Sequence, residues 1–417
     1  MRGHCHWFVT ELLRICGRTF SRACVLLLPV KRVRQPTIAE ADLQHWKLLE
    51  PFLQHLQQAA AQHGLPSTWH DSQRLLQLSH YLSLFLFGLL NPVVRTMRGL
   101  CSASHLDRVQ QQVCAGPVSL GSFSEAQHLL DPALLETVFA QLYEQVQGRG
   151  GDARLADRPW QIVDSTLWEA LPRMHWALWR TQGTRQQAVR LHLGFQLLDD
   201  KPQRATVTEG KRCERAAWRA QWQAGDAYVG DRYYGQDYRL LDELSGRGCQ
   251  YVIQLRDEAV VNVEEDLPLS QADRAAGVVR QARARLGADG GAKRQPVRVV
   301  WVVKPTVSLV LVTNLSAEQM SAELVALVYR YRWQVELFFR WLKCILGQRH
   351  WLAESRAGVT VQVYLALIAA LLLQLYTGKR PTKRIMELIQ WYLLGWATEA
   401  ELTAALAKET ARQKKNA

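Results

Sequence analysis

Four residues in the last third of the chain have types and spacing that suit chemistry on a phosphate. The segment YRYRWQVELFFRWLK covers 329–343 and carries Tyr329, Arg332, Glu336 and Lys343. At about 100° per residue, an α-helix places all four within an arc of about 60°. One helical face then presents a phenol, a guanidinium, a carboxylate and an ammonium, a set able to converge on one phosphate. The plainer account is a solvated charged face with an i,i+4 pair between Arg332 and Glu336, worth a few tenths of a kcal/mol. Against that account stands the spacing Y-x2-R-x3-E-x6-K. Average composition yields it by chance in only on the order of a few in a thousand chains of this length.

The elements that must position this face follow from periodicity. Ser316 with Gln319 fits a capping box, and a helical pattern runs from there to Leu346, with a break near Ser321 and Gly347 as its stop. Upstream, the Gly-rich charged stretch GRGGDARLADRP (148–159) marks a boundary. After it, WQIVD (160–164), AVRLHLGFQLLDD (188–200) and RATVTEG (204–210) read as strands. CERAAWRAQW (213–222) reads as a helix, AYVGDRYY (227–234) as a strand, QDYRLLDELSGRG as a helix and CQYVIQLRD (249–257) as a strand. The order β-β-β-α-β-α-β predicts a mixed sheet with helices on its faces. Residues 258 to about 295 are polar and irregular in pattern, and PVRVVWVV with VSLVLVTNL then forms an antiparallel pair around Lys304-Pro305.

Before the boundary the pattern is helical, with apolar periodicity in Leu43–Leu56, Gln73–Leu90 and Pro132–Val146. Ser124 and Asp131 read as helix starts, the latter followed by Pro132. Residues 1–36 form a basic arm. Near the other end, the apolar run Val359–Tyr376 contains Gln362 and Gln374, and reads as a core helix rather than a membrane span.

Composition sets outer bounds. A chain of 417 residues accommodates two or three domains, and 48% hydrophobic content supports a sizeable core. The net charge of +13 favours a polyanionic partner. The eight cysteines are scattered without a C-x-x-C pair, which argues against a zinc site and a disulfide framework, and for a reducing cytosol.

The Y-x2-R-x3-E-x6-K spacing resembles the Y-R-E-K signature of DDE transposases from the insertion-sequence-4 group. IVDST (162–166) resembles the strand that carries that family's first aspartate, and VGDRYYG (229–235) the strand that carries its second. The resemblance makes Asp164 and Asp231 those two aspartates and Glu336 the third acid. Each has a plainer role too: Asp164 as a cap or turn residue, Asp231 as a structural partner of Arg232. The 104 residues between Asp231 and Glu336 leave room for the β-rich insertion found in the family. The implied fold is α/β: an RNase H-like mixed-sheet catalytic core at 156–350 with a β-rich insertion at about 258–315. A helical DNA-binding domain at 37–155 precedes it, and a C-terminal helical region at 351–417 follows.

The implied chemistry divides the residues. Asp164, Asp231 and Glu336 are oxygen ligands for two Mg²⁺ ions, with Mn²⁺ able to substitute. Arg332 suits phosphate bidentately, Lys343 as a point charge, and Tyr329 as a hydrogen-bond donor. The expected function is cleavage of DNA at element ends and strand transfer into target DNA, by a homodimer in the synaptic complex, in the bacterial cytoplasm at the nucleoid. The alternatives are a catalytically inactive DNA-binding remnant or inhibitor, and a nuclease that cleaves without joining. Trp301 reads as core packing ahead of base stacking. His192 reads as a sheet histidine, and Asp199, Asp200, Glu264, Glu265 and Asp266 as solvated loop charge.

Overall fold

The computed structural model describes residues 49–69, 74–147, 152–181, 184–290, 294–304, 307–344 and 350–416. The basic arm, the helix start near Leu43, Pro305 of the hairpin turn and the Gly347 stop lie outside the described residues. All described residues fall within one compact unit.

Among the described residues six α-helices come first: α1 (Glu50–His63), α2 (Leu78–Leu90), α3 (Met97–Ala103), α4 (Asp107–Gln112), α5 (Leu120–Leu129) and α6 (Pro132–Gln145). Asp131 caps α6 by accepting from the Ala133 N–H, with Pro132 in the first turn. The helix expected at Ser124 begins earlier. Ser119 accepts from the Ser122 N–H and starts α5 there, leaving Ser124 inside the helix.

The sheet follows. β1 (Trp160–Glu169), β3 (Thr184–Gln196) and β4 (Lys201–Glu209) form an antiparallel set. β2 (Leu178–Thr181), absent from the sequence reading, pairs with the start of β3. After α7 (Glu214–Arg219) comes β5 (Ala227–Gly230), parallel to β1; after α8 (Tyr238–Gly246) comes β6 (Gln250–Gln254), parallel to β5. This is an RNase H-like core. The segment read as polar and irregular holds β7 (Val261–Asp266), α9 (Gln271–Ala275) and β8 (Val278–Leu286). With β9 (Val297–Lys304) and β10 (Val307–Thr313) they extend the same sheet in the order β6-β10-β9-β8-β7. Glu264, Glu265 and Asp266 therefore lie on a strand, ion-paired to Arg285, Arg283 and Arg280, rather than in a loop. Asp199 pairs with Lys201, and buried Asp200 with Arg380.

Alternation along β1 sends Trp160 and Ile162 into a large core and Val163 into a second cluster with Trp218, Leu240 and Leu244 on the opposite face. The long helix divides in two. The Ser316–Gln319 box forms, but as a turn; the helix starts at α10 (Ala322–Tyr331), capped by Ser321, and continues as α11 (Trp333–Cys344). At the junction the Arg332 N–H bonds back to Tyr329 and the Val335 N–H to Arg332, three residues apart, so the turn is tightened rather than broken.

α12 (Arg356–Thr377) is long and apolar enough to cross a membrane, but it is buried in the core and packs on α1, α2, α5, α6 and β4. Its two glutamines are satisfied there. Gln362 accepts from the Leu352 N–H and donates to the His350 carbonyl, and Gln374 donates to the Asp199 carbonyl. α13 (Lys383–Leu394) and α14 (Glu399–Asn416) close the chain.

Candidate active site

Asp164 within β1 and Asp231 just past the end of β5 stand at one level on adjacent parallel strands. β1 and β5 pair in register at Ile162 and Val229, and each aspartate lies two residues beyond its member of that pair. β1 continues past this point with β3 on one side only, since its pairing with β5 covers just Trp160–Ile162. The Asp164 carboxylate accepts from the Ser165 N–H at 2.7 Å, and the Asp231 carboxylate from the Tyr233 N–H at 2.9 Å. The loop after Asp231 presses close to β6: a Cβ on Gly235 would sit 2.1 Å from the Gln254 carbonyl oxygen.

Burial pushes the Asp164 carboxyl up to about 7, and the negative charges of Asp231 and Glu214 add to the rise; the Ser165 N–H and Arg332 oppose it. The Asp231 carboxylate serves the backbone turn by accepting from the Tyr233 N–H.

Glu336 lies in the first turn of α11, which packs against β1. Arg332 grips it, Nη1 to Oε1, at 2.7 Å. The same guanidinium lies 5.7 Å from the Tyr329 ring centroid, and its charge opposes the rise at Asp164. Thus the i,i+4 pair and the convergence on one face both exist, with Arg332 as the hub between two carboxylates. Tyr329 is buried and donates its hydroxyl to Gln254 on β6. Burial raises its phenol to about 12, so it remains a donor at neutral pH.

Lys343 stands apart from this group. Its Nζ donates to the Leu167 carbonyl at 2.6 Å and lies 5.1 Å from the Trp168 ring centroid. Among the described residues, no three acidic, histidine or cysteine side chains converge into a complete cation cage. The donor chemistry nevertheless fits a hard cation at the aspartate pair, where a buried carboxyl with an acidic neighbour lacks full compensation. Glu336 is turned to Arg332 in this arrangement.

Three further residues border the site and escaped the sequence reading. Arg190 on β3 bonds to Glu214 at the start of α7, and Tyr234 is fully buried beneath the acids. Burial and the charges of Glu214, Asp164 and Asp231 hold the Tyr234 phenol far above its usual range. An arginine within the apolar run AVRLHLGF was the available signal, because a charge inside a strand needs a partner. Nothing in CERAAW singled out Glu214. His192 is buried and bonded to Thr208 at 3.0 Å. Trp301 packs partly buried on the second cluster, with the Arg280 guanidinium 5.0 Å from its ring centroid.

Residues 156–372 match the family described as the transposase DDE domain. The chain is 24% identical over 220 residues to the transposase y4zB of Sinorhizobium fredii, covering 52% of this chain and 60% of that one. It is 27% identical over 220 residues to the transposase for insertion sequence element IS5377 of Geobacillus stearothermophilus, covering 52% and 56%. The aligned part thus covers less than two thirds of the length of either relative. A piggyBac transposase synaptic complex with hairpin DNA covers 79% of this chain and 75% of its own, at 10% identity and a TM-score of 0.42. The match over residues 156–372, more than half of the chain, places it in the DDE transposase domain family.

Proposed function

We propose that the protein is an insertion-sequence transposase of the Y-R-E-K group, which cleaves DNA at the element ends and joins the freed ends to target DNA. The observation that carries this reading is the level pairing of Asp164 and Asp231 on adjacent parallel strands, with the Arg332–Glu336 pair against the same stretch of β1.

Asp164, Asp231 and Glu336 would hold the divalent cations. Bound there, Mg²⁺ or Mn²⁺ supplies activation of the attacking oxygen and stabilisation of the leaving one. Arg332 exchanges partners: a DNA phosphate entering beside β1 takes the guanidinium bidentately and releases Glu336 toward the aspartates. Tyr329 and Lys343 hold neighbouring phosphate oxygens, so binding orients the scissile bond against Asp164 and Asp231. Water attacks first, and the liberated 3′-hydroxyl then attacks either the opposite strand or target DNA. Pairing of two ends requires at least a dimer on double-stranded DNA.

The test is replacement of Asp164, Asp231 or Glu336 by Ala. Each variant should retain binding to terminal-repeat DNA and lose divalent-dependent cleavage. Undiminished cleavage by any one of them removes that residue from the site. The Glu336 carboxylate, paired to Arg332 at 2.7 Å, favours a second reading, a DNA-binding protein without catalysis. Wild-type protein that binds element ends but cleaves with neither Mg²⁺ nor Mn²⁺ would establish that reading instead.

A further inference from the structure

Pairing of β1 to β5 stops at Ile162; over residues 163–169 β3 is its paired strand, and the side chains of Lys343 and Trp351 bond the Leu167 and Glu169 carbonyls. A stretch without a second paired strand suits entry of a substrate strand, and no second strand fixes the direction of the Asp164 side chain. Something else must hold this stretch when a polyanion arrives.

Arg190 does so from the neighbouring strand. In the β1–β3 register Arg190 stands opposite Leu167, and its side chain reaches diagonally to Ser165, the residue after Asp164. Its Nη1 donates to Ser165 Oγ at 2.9 Å, its Nε donates to the Gly210 carbonyl at 3.2 Å, and Nη1 also meets the Glu214 carboxylate. One planar fork therefore ties β1, the end of β4 and the start of α7 together. Both charged side chains are mostly buried, at 13% and 20% exposure, so the pair is shielded from the screening that makes surface ion pairs weak. Glu214 also contributes its charge to the field at Asp164 and Tyr234.

We infer that Arg190, with Glu214 as its anchor, is a positioning residue that aims Asp164 through the Ser165 hydroxyl and balances the charge behind the aspartate pair. The inference rests on the proposed function, because only then does Asp164 have a cation to meet. The Asp164 face of β1 carries the Arg332–Glu336 pair, and the opposite face carries Arg190–Glu214; the carboxylate pair is thus bracketed by two arginine–glutamate pairs.

Three readouts on Arg190→Gln, Arg190→Lys and Glu214→Gln test this: Mn²⁺ binding by loss of the free-ion electron paramagnetic resonance signal, kcat against KM for cleavage of element-end DNA, and the melting temperature. Arg190→Gln should weaken Mn²⁺ binding and lower kcat on the order of tenfold or more, with KM near wild type. Arg190→Lys, which keeps the charge and one donor, should recover part of both losses. Glu214→Gln, which keeps a polar anchor of the same size, should fall between. A fall in melting temperature with Mn²⁺ affinity and kcat both at wild-type values would make the pair a structural brace only and overturn the inference. The failure of the proposed function would look different: wild type and Asp164→Ala would bind Mn²⁺ alike, and neither would cleave.

Discussion

Lys343 donates a 2.6 Å hydrogen bond to the main-chain carbonyl of Leu167, which ties the last turn of α11 to β1. Glu336 and Lys343 lie about 10 Å apart along the helix axis, and Asp164 and Leu167 about 10 Å apart along the strand. The bond fixes the end of α11, two turns beyond Glu336, against the strand that bears Asp164.

The first prediction concerns that tether. Lys343→Met should lower the melting temperature through loss of a part-buried charged hydrogen bond, worth about 1–3 kcal/mol. It should also lower the magnitude of the salt-dependence slope for DNA binding by about one, if the ammonium meets a phosphate as proposed. Thermal melts and binding isotherms at several salt concentrations measure both. An unchanged slope with a lower melting temperature would restrict Lys343 to the tether.

Arg332 should resist conservative replacement. A lysine presents a point charge, without the planar fork that holds Glu336. Arg332→Lys and Arg332→Gln should both reduce cleavage by about 100-fold, on the scale of losing one preorganised donor to a developing charge. Single-turnover cleavage at saturating DNA separates this from a binding defect. Recovery to within about twofold by lysine would show that charge alone suffices.

The phosphate-suited face was legible because a helix turns four spaced residues onto one side, and Tyr329, Arg332 and Glu336 do gather there. The two strand aspartates were legible through the resemblance of IVDST and VGDRYYG to the family's strands, whereas the residues around each left a plainer role open. Lys343 was only half legible: helical angle gives its direction but not the carbonyl of another strand that receives it. Of the insertion strands, β9 and β10 were legible as an apolar pair, while β7 escaped because it is exposed or half-exposed throughout and β8 because it alternates charged with small residues. Paired arginines and acids, rather than apolar alternation, accompany that edge of the sheet. Arg190 and Glu214 escaped because their partnership spans β3 and α7, a tertiary relationship without local pattern.

His192 should make stability depend on acid. Burial, aided by the charges of Arg190 and Arg212, lowers its pKa to about 4 from 6.5. Above pH 6.5 both folded and unfolded chains carry it neutral. Between 6.5 and about 4 the unfolded chain takes up the proton first, so stability falls as pH falls, by at most about 3 kcal/mol from this group. His192→Gln can keep a bond to Thr208 and should remove this contribution, leaving the opposing one from Asp164, so that its stability falls as pH rises across this window. Denaturant melts of the two proteins across that range would reveal an identical slope if His192 titrates normally.

Asp164 should act in the opposite direction over nearly the same range. In metal-free protein its pKa of about 7 stands above the usual 3.8, so its neutral form stabilises the fold below pH 4 and that contribution is lost as pH rises to 7. The shift caps the effect at about 4 kcal/mol, less whatever solvent reaches the carboxyl. With EDTA present, the Asp164 and His192 slopes should largely cancel in wild type between pH 4 and 6.5. Asp164→Asn removes one of them: its stability should rise with pH across this range and exceed wild type at pH 8, while the two converge near pH 4. Adding Mg²⁺ at pH 8 should raise the melting temperature of wild type and leave Asp164→Asn unmoved, because a cation offsets the carboxylate charge only where that charge exists. Equal stabilisation of both proteins by Mg²⁺ would remove Asp164 from the cation site.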